Sequence, residues 1–370
     1  ATGLYTMLGG LAAVIYTELV QMFILIGGSV ALTLIGLDRA GGWGAVRAAT
    51  PPDFWHMFKP ATDPDFPWTG IVFGAPILGV WYWCTDQYIV QRVLSARNLD
   101  QARGGTLFAG FLKILPVFIL VLPGLVAHAL SNGTVTGDRA YAWMVTTLLP
   151  AGLKGLVVAG LLAALMSSLS AMFNSASTLL TIDLFKRLRP ATDEATVVRF
   201  GRLATGAMVV LGLLWIPFIG RLSDERMYVY LQSVQAYVSP PIAACFLLGI
   251  LWRRVNGKGA VAALLTGLVL GAGRLILEIR HKLAPLGDET LRFLATVNFL
   301  HFAVFLFVVC AAVLVGVSLA TAAPAPAKLA NLTLADVDRS RPLPTVHRRA
   351  HVAISAALVA ALAVLWWVFR

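Results

Sequence analysis

Apolar runs of membrane length follow one another along almost the whole chain, and nothing else in it limits the choice of fold so severely. The stretches 9–37, 68–94, 105–130, 152–185, 201–219, 227–252, 259–277, 296–320 and 350–369 are each long enough, as helices, to cross roughly 30 Å of hydrocarbon. Lipid offers backbone N–H and C=O groups no partner, so a spanning segment must close its hydrogen bonds within a helix or a closed barrel. The two-residue alternation of barrel strands is absent. The expectation is an all-α, multi-pass protein of the cell (plasma or inner) membrane.

Charge agrees. Only 13% of the residues are charged, against about 25% in a soluble domain. The net charge of +11 does not indicate nucleic acid, because the basic residues sit in short connections. Loops 91–103, 186–202, 252–258 and 321–349 alternate with loops 38–67, 131–151, 220–226 and 278–295. The first set is richer in Lys and Arg, so the positive-inside rule places it in the cytoplasm. Segment 321–349, rich in Ala, Pro and charge, reads as a cytoplasmic linker. Cys84, Cys245 and Cys310 lie inside apolar runs and read as small buried hydrophobes rather than a disulfide framework. Nothing supports an enzyme: there is no phosphate-binding glycine loop, no H-E-x-x-H and no metal-spaced Cys/His set. The apolar pattern starts at Leu4 with no basic, cleavable leader, which suggests a start partway through a longer protein.

Polar groups inside apolar runs are costly and are the natural candidates for function. Lys113 is the one charge within 105–130. It must snorkel, meet a carboxylate or face a polar cavity, and Pro116 after it frees a carbonyl one turn back. Glu18 lies mid-segment, suited either to a cation or to a structural pair with a base. Ser167, Ser170, Asn174, Ser177 and Thr181 recur at steps of three and four, one polar stripe on a helix. Such a stripe serves a hard cation or close helix packing. Ser239-Pro240-Pro241 removes two backbone donors, so a break is expected there, with Gln232, Gln235 and Tyr237 just before it. Trp81 to Arg92 read W-Y-W-C-T-D-Q-Y-I-V-Q-R. Tyr82 and Trp83 offer flat surfaces with polar handles, for a sugar ring or for an interfacial belt. Asp86 and Gln87 are candidates to pair with loop arginines.

Taken together, certain runs resemble those of the sodium/solute symporters, specifically the sodium–glucose cotransporter branch. They are T-G-L-Y-T-M-L-G-G-L-A-A-V-I-Y-T-E from Thr2, the Trp81–Arg92 run, G-F-L-K-I-L-P from Gly110, A-L-M-S-S-L-S-A-M-F-N-S-A-S-T-L-L-T-I-D from Ala164, S-P-P-I-A-A-C-F-L-L-G-I-L-W-R-R-V-N from Ser239 and G-A-G-R from Gly271. The resemblance implies a LeuT-like inverted-repeat transporter core working by alternating access. It divides the chain into core helices five to ten (1–252), peripheral transmembrane helices (253–320), the linker (321–349) and a last transmembrane helix (350–370). It implies that helices preceding residue 1 complete the sites, so that this stretch alone binds no sugar.

Carried over residue by residue, the resemblance assigns Tyr82 as an inner-gate tyrosine, and Trp83, Lys113 and Gln232 to a sugar site. Ala164, through its carbonyl, and Ser167 and Ser168, through their hydroxyls, form part of a Na⁺ site. Glu18 and Ser170 stand at a second cation position; Glu18 replaces the family's usual Asp, which favours one coupled sodium. The expected activity is Na⁺-coupled symport of a monosaccharide or polyol, with small-molecule solute and lipid bilayer as partners and no nucleic acid. The alternatives are a sodium symporter of a non-sugar organic solute and a solute-binding membrane sensor.

Overall fold

In lipid these runs can satisfy their backbone only by coiling, and in the structure, a computed structural model, they coil. Residues 2–222, 227–330, 332–335 and 345–370 are described, with side chains except at 2–18, 215, 218–222 and 345–346. In chain order the elements are α1 (Thr2–Arg39), α2 (Trp43–Ala49), a 3-10 turn (Pro52–Trp55), α3 (Trp68–Phe73), α4 (Ala75–Cys84), α5 (Gln87–Leu94) and α6 (Leu99–Leu112). A π-helical turn (Val117–Val121) leads into α7 (Leu122–Leu130), then α8 (Arg139–Leu148), α9 (Ala151–Thr178) and a second π-helical stretch (Leu179–Lys186). The remainder are α10 (Glu194–Leu222), α11 (Met227–Leu251), α12 (Gly257–Leu283), α13 (Glu289–Thr296), α14 (Phe299–Ala320), α15 (Pro326–Leu329) and α16 (Thr345–Val368). Among the described residues eight helices are long and apolar enough to span.

Two expectations are corrected. The run 68–94 is not one span but three short helices, with breaks at Gly74 and at Thr85–Asp86. Conversely, α11 runs unbroken through Ser239-Pro240-Pro241. Without the Pro241 N–H, the Tyr237 carbonyl loses its partner four residues on. It lies instead against Gly271 of α12, where an added Cβ would sit 2.2 Å from that oxygen. The approach of a glycine Cα–H to the freed carbonyl lets the helix continue.

Ion pairing accounts for a third difference. α12 passes the expected end at residue 277 and continues to Leu283. Its charges are paired at i, i+4: Arg274 with Glu278, and Glu278 with Lys282, spacing that supports a helix beyond its apolar stripe.

Lipid tails are as apolar as leucine, so helices here associate through close packing and polar contacts rather than through escape from water. Glycines provide the approach. A Cβ on Gly28 would meet Val157 at 2.8 Å, and one on Gly74 would meet the Leu300 carbonyl at 2.5 Å. Two apolar nuclei result. One joins α1, α2, α7, α8 and α9 through Leu32, Val126, Met144 and Val157. The other joins α4, α11, α12 and α14 through Leu78, Tyr237, Leu306 and Leu314.

Contacts between the connections sort them onto two sides, in the alternation that the charges suggest. Loop 56–66 meets both the C-terminal residues and the start of α14: Met57 N–H donates to the Phe369 carbonyl at 2.7 Å, and Asn298 donates to the Pro64 carbonyl at 2.8 Å. At the other end, Arg254 donates to the Thr321 carbonyl at 2.7 Å, and Leu334 N–H to the Ile250 carbonyl at 3.0 Å.

Candidate functional site

The break after Cys84 is made by side-chain oxygens competing with the helix ladder. Thr85 Oγ1 donates back to the Trp81 carbonyl at 2.7 Å. Asp86 Oδ1 accepts from Tyr88 N–H at 3.1 Å, capping α5. Asp86 is thus a helix cap. The break leaves Tyr82 and Trp83 on the last turn of α4, their rings edge to face with centroids 5.1 Å apart.

Lys113 comes to the same place. It closes α6 as C-cap, just before Pro116 and the π-helical turn. Its Nζ lies 5.7 Å from the Tyr82 ring centre and 5.0 Å from that of Trp83. Among the described residues the ammonium has no carboxylate partner. Cation–π attraction of about 0.5–2 kcal/mol holds it over the rings while its donors stay available. Lys113 and Trp83 line a cavity of about 920 Å³, with Cys84, Arg92, Gln101 and Thr106 among the other lining residues. Leu358 and Leu362 of α16 form one wall. Cys84 is exposed to this cavity and Cys245 is partly buried, whereas Cys310 is fully buried as expected.

Gln232 is not brought into this cluster by a direct contact. Its Nε2 donates to the Tyr228 hydroxyl at 3.1 Å, one turn back on α11. α11 does pack on α4, sharing the nucleus around Leu78, Ala236 and Tyr237.

On α9 the polar stripe divides. Its lower part is occupied in packing: Ser177 Oγ donates to the Gly201 carbonyl at 2.8 Å, against α10. Asn174 Nδ2 donates to Gln91 Oε1 at 3.4 Å. Ser170 is fully buried, and Ala164, Ser167 and Ser168 are partly buried. The helix runs unbroken through Ala164 and Ser168, so the Ala164 carbonyl would ligate a cation with its second lone pair. Glu18 lies outside the described side chains.

Gln91 is the residue that sequence reasoning passed over. It is 7% exposed. Its Nε2 faces the Ala171 carbonyl at 3.3 Å and its Oε1 accepts from Asn174. The aromatic–lysine cluster and the serine stripe are therefore joined by one buried amide at the far end of the Trp81–Arg92 run.

These features describe a bundle of membrane-length helices with a broken helix at its cavity. The chain belongs to the sodium:solute symporter family, whose model matches residues 1–267. The family consists of integral membrane transporters, not enzymes. The chain is 40% identical to the sodium/mannose cotransporter SLC5A10 of Bos taurus, over 92% of this chain and 63% of that protein. It is 39% identical to sodium/glucose cotransporter 4 of Mus musculus, covering 90% of this chain and 54% of that one. It is also 39% identical to sodium/myo-inositol cotransporter 2 of Sus scrofa, covering 90% and 55%. The chain thus spans between about half and under two thirds of these relatives' lengths. A solved Na⁺-coupled sialic acid symporter, in a substrate-bound outward-open state, superposes with a TM-score of 0.65 at 20% identity, over 87% of this chain and 65% of that one. That likeness shows the fold, the LeuT-like inverted-repeat architecture.

Proposed function

We propose that this chain serves Na⁺-coupled symport of a monosaccharide or polyol by alternating access. Sugar and polyol cotransporters among the relatives support the solute class. The observation that carries the reading is the convergence of Lys113 with Tyr82 and Trp83 at a helix break, where Lys113 and Trp83 line a cavity. An ammonium beside two aromatic faces suits a neutral polyhydroxylated ring: the rings stack on its C–H face and the ammonium donates to a hydroxyl. Gln232 adds an amide from the adjacent helix. Sodium is held in part by the Ala164 carbonyl and the Ser167 and Ser168 hydroxyls, hard oxygens suited to it. Glu18 and Ser170 stand where a second cation would bind, and the longer Glu18 side chain favours one coupled sodium. Residues 1–252 form the core, 253–320 the peripheral helices, 321–349 a cytoplasmic linker and 350–370 the last span.

The test is Lys113→Met in the full-length protein in proteoliposomes. Losing one charge-assisted hydrogen bond of about 1.5–3 kcal/mol should raise the sugar concentration for half-maximal uptake by at least about tenfold, with the half-saturating sodium concentration much less changed. An unchanged sugar dependence would remove Lys113 from the site.

A further inference from the structure

The last helix touches the rest of the molecule sparingly. None of residues 347–368 is fully buried, and among the described elements its main partner is α6. Its outward end is tied down: Met57 N–H donates to the Phe369 carbonyl, and the Phe58 and Trp366 rings meet edge to face at 5.9 Å. At its middle, Leu358 fills a notch at Gly110, where an added Cβ would meet it at 2.7 Å. Leu358 and Leu362 wall the Lys113 cavity. α16 is thus a strap across that cavity, fastened outside and seated at its middle. What holds its cytoplasmic end decides whether it can lift.

That end sets one carboxylate between two imidazoles. His347 and His351 stand four residues apart on one face of α16. His347 Nδ1 lies 3.2 Å from Asp100 Oδ2, and His351 Nε2 lies 3.5 Å from Asp100 Oδ1. Asp100 is in the first turn of α6 but does not cap it, because Asn98 does. Its carboxylate is therefore left to α16. The two imidazoles differ. His351 Nδ1 is sealed from solvent with no hydrogen-bond partner among the described residues. A proton there would be a buried donor without an acceptor, which is costly, so that ring carries its proton on Nε2, toward Asp100. His347 is 52% exposed and takes a second proton without that cost. The other charged groups at this end are Arg97, Arg103, Arg348 and Arg349, all exposed, and Arg92 on the cavity wall. Arginines keep their charge throughout. Lys113 lies thirteen residues further along, roughly 20 Å away, and His56 is at the opposite end of α16, beside the Arg370 carbonyl.

We propose that Asp100 and His347 form a pH-sensitive clasp that fastens the cytoplasmic end of α16 over the cavity. Between about pH 8 and pH 5 an imidazole gains its charge while a carboxylate stays ionised. The clasp therefore tightens as pH falls and loosens as pH rises, opening the cavity on that side. His351 is a neutral hydrogen-bond donor to the same carboxylate and steadies the clasp at every pH. The clasp acts on α16 and does not rest on which solute the cavity takes.

The test uses the purified full-length protein with its other reactive cysteines replaced and spin labels placed through Leu94→Cys and Val352→Cys, at two exposed positions on α5 and α16. A short label-to-label distance should dominate near about pH 5.5 and a longer one should gain near about pH 8. The ratio of the two should change by up to about fivefold, the worth of one partly exposed charge pair. His347→Gln, at a half-exposed position that folding does not depend on, should remove this response. His351→Gln should lower the short-distance fraction at both pH values and leave the response in place. With native cysteines and at one fixed pH, so that thiol chemistry is constant, His347→Gln should speed maleimide labelling of Cys84, which lines the cavity, by about twofold or more at about pH 6, read at its peptide by mass spectrometry. Distances indifferent to pH, a pH response that survives His347→Gln, or unchanged labelling of Cys84 would overturn the proposal.

Discussion

At the scale of single residues, the structure separates groups that share a motif. Trp83 and Lys113 face a cavity, whereas Gln91, eight residues beyond Trp83, is buried and ties α5 to α9. The Trp81–Arg92 run reveals its aromatic handles at once. It does not reveal Gln91, because a glutamine near a basic loop looks like a solvated helix end, and only the fold brings Asn174 to it. Removing Gln91 leaves buried polar atoms unmatched at about 1–3 kcal/mol. Gln91→Leu and Asn174→Leu should each lower thermal stability, and the double variant should cost less than the two combined, by about 0.5–1.5 kcal/mol. Strict additivity in unfolding measurements would mean that the amides do not interact. Gln232 offers a sharper test of contact with solute. Gln232→Ala should weaken sugar affinity about tenfold, and the deoxy sugar lacking its partner hydroxyl should lose little further. If every deoxy analogue lost as much as the parent sugar, Gln232 would not touch the solute. For sodium, Ser168→Ala should raise the concentration for half-maximal uptake, and an unchanged sodium dependence would reject Ser168 as a ligand.

At the scale of elements, proline proved a poor guide to where helices break. Ser239-Pro240-Pro241 looks like an interruption, yet α11 continues because Gly267 and Gly271 admit α12 against the proline face and the freed carbonyl. The real break, after Cys84, contains no proline. It depends on Thr85 and Asp86 hydroxyl and carboxylate oxygens capturing backbone groups, a choice that helical periodicity does not register. The extension of α12 past residue 277 was equally hidden, since counting apolar residues stops where charges cluster, at Glu278, Arg280 and Lys282. Gly271→Ala should be destabilising by about 1–3 kcal/mol, because its Cβ meets backbone that cannot turn aside. Gly273→Ala, with nothing within 4 Å, should be neutral or stabilising by about 0.5–1 kcal/mol through helix propensity. Melting curves of the two variants compare them directly, and equal behaviour would contradict the α11–α12 contact.

At the scale of the whole molecule, the membrane class, the helical fold and the family were legible from apolar run lengths and a few specific motifs. The same long, uncharged segments must satisfy their backbone within a helix or a barrel, and the absence of a two-residue alternation leaves the helix. Their assembly was not legible, because packing in lipid turns on small residues whose partners are distant in sequence, such as Gly28 with Val157 and Gly74 with Leu300. Under the proposed function, a sodium gradient does work on a sugar or polyol through this fold. The direct measurement is uptake of labelled glucose, mannose and myo-inositol into proteoliposomes holding the full-length protein, with sodium outside only. At least one of the three should accumulate inside above its external concentration, the excess should collapse when the sodium gradient is dissipated, and Lys113→Met should require more solute for the same rate. Equilibration without accumulation, or accumulation indifferent to sodium, would contradict it.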